Sequence, residues 1–425
     1  MLVAPLHVWH PCQCEVWHPC SGTYAPSLYH GAGSYGRCQA FMTYTPTPSH
    51  WKLARRYGKI PFRSPVNHVL AEMLSTIFSE EEALLAAAFP ARPATVETIR
   101  RSAGATRERA DRLLAAMDAR GLIGSFGVNH NRKYMLLPIV PGLFELVMWS
   151  RRTDARARRF AELYEQYYKR DYFTVKAKGM IKIIPVEKHI DNQIGVLPTD
   201  RVSELIDSHT RFSLTACCCR HSADLRGRPC EKPKEVCMAF GPLADFLIER
   251  NLARRADKTE IFEAAHRAAE AGLVHLTDNV AQANFLCSCC SCCCTGLKII
   301  NQFNYPWMIA KSHFMTELNS ATCEACGKCA SRCPTGALGV EEKRLMLDQT
   351  RCIGCGVCVS ACDRNTALSL VERPRYEPPN ETFGQLAADC GLQAIGPMRI
   401  VAEHFPGAYR RLRGVVEKGL ARGLR

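Results

Sequence analysis

Over residues 65–78 the apolar positions Val66, Val69, Leu70, Met73, Leu74 and Ile77 recur at the three-to-four-residue period of a helix with one buried face. Ser79 stands three residues ahead of Glu82 and just before the run ALLAAAF, the order of a capping box that opens a second helix. Two more helices are predicted at 95–103 and 106–120, the latter with Thr106 as N-cap and Gly121 as its stop. Beyond them LIGSFGVNHNRKYMLLP alternates as two short strands about a Gly/Asn turn. Helices followed by a β-ribbon predict a winged-helix-like domain over 61–139. In a DNA reader Arg107, Arg109 and Arg112 of the last helix would enter a groove. They avoid the face of Leu113, Leu114 and Met117 and are exposed in either case, so an interaction module of the same shape is the preferred reading.

Periodicity is weaker elsewhere. Residues 1–50, rich in His, Pro, Gly, Tyr and Ser, repeat VWHPC at 8–12 and 16–20 and show no core pattern. Cys12, Cys14, Cys20 and Cys38 with His7, His10 and His18 match no closed two-pair zinc spacing. The segment is expected to be disordered, or to lie upstream of a translation start at Met42. A basic helical linker is predicted over 150–215, a cysteine-rich metal or cluster domain over 216–300, a further cysteine-rich domain over 315–372 and a basic tail over 373–425. The predicted class is an α+β multidomain protein: a winged-helix-like N-terminal domain, a helical cysteine-rich middle domain and a second, smaller cysteine-rich domain.

The last assignment rests on spacing. CEACGKCASRCPTGAL places Cys323, Cys326, Cys329 and Cys333 at C-x2-C-x2-C-x3-C-P, and CIGCGVCVSAC repeats it at Cys352, Cys355, Cys358 and Cys362. Three cysteines of each run wrap one cubane, while the fourth points away toward the other. The expected ligand sets are Cys323, Cys326, Cys329 and Cys362 for one [4Fe–4S] cluster, and Cys352, Cys355, Cys358 and Cys333 for the second. Between the runs LGVEEKRLML reads as a small hairpin. These runs resemble two-cluster bacterial ferredoxins over about 50 residues, with Asp363 where a proline is usual.

Composition sharpens the chemistry. No apolar run approaches the ~18 residues of a membrane helix, and MLVAPLHVWHPC lacks the pattern of a secretory signal, so a cytoplasmic location is expected. In a reducing compartment 24 cysteines read as metal thiolates rather than disulfides. The formal charge of +14 includes basic clusters at 151–170 and after Phe405, read as solvated helix faces. Each bound cubane with four thiolates removes about two of those charges.

A second block precedes the ferredoxin runs. LTACCCRHSADLRGRPCEKPKEVC contributes Cys217, Cys219, Cys230 and Cys237, with Cys218 between the first two. CSCCSCCC adds Cys287, Cys289, Cys290, Cys292, Cys293 and Cys294. Such sulfur density points to one or more additional iron–sulfur clusters, with zinc the less expected metal and disulfide or persulfide chemistry an alternative. Arg220 is placed to donate to a cluster sulfur, whereas His221 and His275 read as hydrogen-bonding or surface residues. With YMLLPIVPGLFEL, CCCRH and AGLVHLTDN, these runs resemble a group of ferredoxin-like 4Fe–4S proteins of anaerobic bacteria over roughly 60–370. That resemblance implies electron transfer and names no substrate.

No phosphate-binding loop, dinucleotide fingerprint or hydrolase elbow is present. The sequence is therefore read as an electron-transfer protein or subunit passing low-potential electrons to a redox partner protein, without nucleic acid or a membrane span. The alternatives are a redox enzyme with a substrate-binding cluster at 287–294, a redox-responsive DNA-binding regulator, and a role in cluster assembly or sulfur handling.

Overall fold

Side-chain oxygens set most of the early helix starts. The computed structural model describes residues 44–60, 64–127, 131–170, 179–190, 197, 200–303, 309–364, 366–393, 411–416 and 418. Cys12, Cys14, Cys20, Cys38 and their neighbouring histidines lie outside them. After α1 (Pro48–Tyr57), Asn67 Oδ1 accepts from the Leu70 amide at 2.9 Å and opens α2 (His68–Ser75). This cap starts the helix later than the apolar period suggests and leaves Val66 outside it, 43% exposed. The predicted capping box is present: Ser79 Oγ accepts from the Glu82 amide at 3.3 Å, the Glu82 carboxylate accepts from the Ser79 amide at 2.9 Å, and α3 (Glu80–Ala87) follows. Strand β1 (Ala94–Thr95) leads into α4 (Val96–Ala103), and Thr106 caps α5 (Arg107–Ala119). The ribbon forms β2 (Gly124–Phe126) and β3 (Lys133–Met135), which with β1 make an antiparallel sheet of order β1-β3-β2.

Helix α6 (Phe144–Trp149) and helix α7 (Ala155–Arg170) close this core. The basic α7 buries Phe160, Leu163, Tyr164, Tyr167 and Tyr168 on one side, and the Tyr164 ring stacks on Phe144 at 3.8 Å. On its other side Arg159 is tied to Glu72 of α2 at 2.6 Å.

The cysteine-rich middle, expected to be helical, is organised instead by a seven-stranded sheet of order β10-β4-β8-β9-β6-β5-β7. In chain order the elements are β4 (Ile181–Ile184), α8 (Val202–Asp207), β5 (Phe212–Ala216), α9 (Cys218–Leu225), β6 (Glu235–Phe240), α10 (Gly241–Glu249), β7 (Arg254–Ala256), α11 (Lys258–Glu270), β8 (Val274–Asp278), β9 (Phe285–Cys289), α12 (Thr295–Phe303) and β10 (Ile309–Ala310). The β10/β4 pair is parallel and the others antiparallel. These strands are short, and β8 is buried along its whole length, so no polar alternation marks them. Cysteines stand where aliphatic side chains would normally reveal a strand.

The final segment runs β11 (Phe314–Leu318), α13 (Lys328–Arg332), β12 (Leu338–Glu341), β13 (Arg344–Leu347), α14 (Val357–Ser360), β14 (Leu368–Glu372) and α15 (Phe383–Gln393). Strands β12 and β13 are the predicted hairpin, turned through Glu342 and Lys343 at φ 47° and 63°. Strand β11 pairs with β14, bringing the ends of the segment together. The Val186 amide donates to the Cys355 carbonyl at 3.0 Å and the Ser312 amide to the Ile353 carbonyl at 3.1 Å, which anchors the second cysteine run beside β4. Among the described residues no helix is long and apolar enough to cross a membrane.

Candidate metal centres

In each ferredoxin-type run, left-handed residues turn the loop around its thiols. Ala325 and Gly327 have φ 51° and 77°, and the corresponding Gly354 and Gly356 have 72° and 75°. Backbone amides thereby reach sulfur: Ala325 donates to Cys323 Sγ at 3.4 Å and Ala337 to Cys333 Sγ at 3.2 Å. The Thr316 hydroxyl lies 3.4 Å from Cys358 Sγ and 3.7 Å from Cys352 Sγ.

Cys333 lies near Cys355 and Cys358, and Cys362 near Cys329. Burial pushes the Cys358 thiol up to about 12, and the charges reinforcing this come from Cys333, Cys352 and Cys329. Cys355 is likewise raised by burial, beside Cys358, Cys333 and Cys352. Cys329 is raised by burial with Cys362 and Cys323 nearby. Thiols raised in this way stay protonated at neutral pH until a metal displaces the proton, so loading the site releases protons. The two sets differ in depth: Cys326 is exposed, with Cys323 and Cys362 half-buried, whereas Cys352, Cys355 and Cys358 are buried.

The ten upstream candidates divide into two sets. Cys230, from the loop after α9, meets Cys290, Cys292 and Cys293 from the turn between β9 and α12, and all four sulfurs lie within 4.8 Å of one another. Among the described residues it is the only such set of three or more ligating side chains. The remaining six, Cys217, Cys219, Cys237, Cys287, Cys289 and Cys294, form an extended chain. Cys237 and Cys287 are direct partners across β6 and β9, with sulfurs 3.9 Å apart. Cys287 and Cys289, two apart on β9, share a face by strand geometry. Cys289 neighbours Cys294, which neighbours Cys219, which neighbours Cys217 and Cys218. Cys219 is held well below the usual thiol range by hydrogen bonds from Cys217, Cys218 and Cys294. Cys287 is held low by Cys237 and Cys289. Neighbouring thiols thus cluster around Cys219 and Cys287.

Arg220 lies between the two sets, fully buried. Its Nη2 donates to the Ser288 carbonyl at 3.1 Å, while Nε and Nη1 are buried with no hydrogen-bond partner. Burial opposes its charge, but Cys217, Cys290 and Cys289 outweigh burial and hold it firmly protonated. The expectation that Arg220 faces sulfur therefore matches its position. His221 Nε2 instead contacts the Arg152 carbonyl at 3.0 Å. His275 pairs with Ser288 at 3.3 Å, and burial lowers its pKa to about 4.

Two participants escaped the sequence reading. Thr295, at the start of α12, places its hydroxyl 3.7 Å from Cys219 Sγ. Glu145 accepts from the Gly142 amide at 2.6 Å and is raised to about 8, chiefly by burial and further by Cys219 and Cys287. A lone carboxylate inside the apolar run IVPGLFELVMW was its only sequence signal.

Residues 315–363 match the family described as 4Fe-4S dicluster domain. No curated protein and no solved structure matches the chain. The match and the tight four-thiol set together support an iron–sulfur protein. No particular member is defined beyond that class, because the match spans the two ferredoxin-type runs alone.

Proposed function

We propose that the chain is a cytoplasmic electron-transfer protein or oxidoreductase subunit that takes low-potential electrons from, or gives them to, a redox partner protein. Bound [4Fe–4S] clusters supply one-electron chemistry. In this reading Cys323, Cys326, Cys329 and Cys362 hold one of them near solvent, and Cys352, Cys355, Cys358 and Cys333 hold the other on the inner side of a two-cluster ferredoxin-like domain.

One observation carries the route of transfer. Ile353, Cys355 and Val357 are buried in the same apolar cluster as Cys289 and Cys294 of the upstream set. Van der Waals contact through this wall gives the inner ligand set a dry route to the extended thiol chain, while the exposed Cys326 side offers the partner its entry. The helices, ribbon and small sheet of 44–139 fit a winged-helix-like interaction module. Arg109 and Arg112 are both paired with Glu81, at 2.9 and 3.1 Å, and Arg107 with Asp111 at 2.7 Å, which favours a solvated face over a DNA-reading one.

The test is a paired measurement on anaerobic full-length protein: stopped-flow reduction of the ferredoxin-type clusters, and screening for conversion of small molecules. Cys355→Ser is expected to slow electron delivery, and Cys289→Ser to alter its rate with no loss of a specific conversion. Turnover of any small molecule by the wild type with only a chemical reductant present would overturn the carrier reading.

A further inference from the structure

The cysteines of the upstream block are usually thought of together, yet their spacing separates two kinds of site. We propose that Cys230, Cys290, Cys292 and Cys293 bind one divalent thiophilic metal ion, zinc or iron, in a mononuclear tetrahedral site distinct from every cluster. The proposal is independent of the electron-transfer reading.

Distance decides the nuclearity. Cys290 and Cys292 sulfurs are 3.3 Å apart, Cys292 and Cys293 3.6 Å, Cys230 and Cys292 3.7 Å, and Cys230 and Cys290 3.9 Å. Four thiolates at ~2.3 Å from one ion in a tetrahedron stand about 3.8 Å from each other. The thiolates of a cubane each cap a different iron and must stand further apart than the edge of a single-ion tetrahedron. The eight ferredoxin-type cysteines, which fit cubanes by spacing, form no comparably tight set among the described residues.

Local structure supports the same occupant. Three ligands come from a single tight turn, in which the Cys294 amide donates to the Cys290 carbonyl at 3.0 Å and the Cys293 amide hydrogen-bonds Cys290 sulfur. Ala223, Val236, Ala268 and Leu273 wall the inner side together with Cys230, Cys290 and Cys293, while Cys292 is exposed. A divalent ion with four thiolates carries a net charge of −2, and the guanidinium of Arg220, with two unpartnered nitrogens, is the buried cation facing it. Binding moves no electron: each thiol still protonated gives its proton to solvent as its metal–sulfur bond forms.

The experiment counts metal and acid-labile sulfide in anaerobically purified full-length protein. Wild type should contain either zinc, in one equivalent, or iron in excess of sulfide. Cys293→Ser should lose that equivalent while sulfide and the EPR signals of the reduced clusters are unchanged. X-ray absorption of the wild-type protein needs no variant to fold. At the zinc edge it should give four sulfurs at ~2.3 Å and no metal neighbour; where iron is the occupant, the oxidised protein should instead show an isolated high-spin ferric EPR signal. Loss of sulfide together with metal in Cys293→Ser, or wild-type protein containing no metal beyond its clusters, would overturn the proposal. Either result leaves the stopped-flow test of the carrier reading standing.

Discussion

Replacing Gly354 with alanine separates backbone strain from steric exclusion within one repeated motif. The equivalent residue of the first run is Ala325, which already sits at φ 51°. An alanine at φ 72° is therefore not forbidden by conformation alone and costs about 1–2 kcal/mol. Gly354 differs in its surroundings: an added Cβ would lie 1.9 Å from the Phe314 carbonyl oxygen and 2.9 Å from its carbon. That oxygen cannot move freely, because Arg373 Nη2 donates to it at 3.1 Å and β11 is paired with β14. Forcing the strand aside adds about 1–3 kcal/mol of overpacking, for a total of about 2–5 kcal/mol. Gly327→Ala isolates the conformational part, since its Cβ would meet only Val340 Cγ2 at 3.7 Å. Gly339→Ala, with nothing within 4 Å, should be near neutral. The assay is an anaerobic denaturant titration of cluster-loaded protein, following visible absorption and far-ultraviolet circular dichroism. If Gly354→Ala is no more destabilising than Gly327→Ala, the close approach of β11 is wrong.

Arg250, 6% exposed, donates to Asp118 at 2.8 Å and covers the Phe246 ring at 3.8 Å; Arg250→Met leaves Asp118 only Arg132 at 3.5 Å and should cost up to about 3–5 kcal/mol, and adding Asp118→Leu should recover much of it in a double-mutant cycle. His275 is neutral when folded, with a pKa near 4 against 6.5. Between those values the unfolded chain binds more protons, so stability falls with pH from 6.5 toward 4, by up to about 3 kcal/mol; His275→Gln should flatten this acid limb in pH-dependent melts. Arg220→Met should destabilise metal-loaded protein more than metal-depleted protein, and a variant that shifts both melting curves equally would remove Arg220 from the thiol sites.

The legible parts of the sequence were those whose physics is local. Ser79 and Thr106 predict caps because one hydroxyl and one amide three residues on suffice, and each makes that bond. The hairpin at 338–347 follows from its own turn. The middle sheet was not legible. Its inner strands are largely buried on both faces, their register joins residues far apart such as Ile181 and Asp278, and cysteine hides the β-pattern of FLCSC. For the same reason the ten upstream cysteines could be identified as ligands in waiting but not divided. Cys289 and Cys290 are adjacent in sequence, yet the end of β9 sends one to the extended chain and the other to the four-thiol turn.

That division leaves Arg220 with a role that neither set alone would require. A fully buried guanidinium carries a desolvation penalty of several kcal/mol unless opposing charge is fixed nearby. Thiols cannot provide it while protonated, and on most of these cysteines neighbouring thiols and burial favour the proton. Metal binding converts the remaining thiols to thiolates, so the cation is stabilised further when the sites are filled. Each filled site in turn carries excess negative charge inside a low-dielectric core, which a single cation between the two sets offsets for both. Filling one site should then strengthen the hold on Arg220 and weaken its availability to the other. Were both sets filled they would share this one cation, and Arg220→Met should then hold less metal than wild type at both sets.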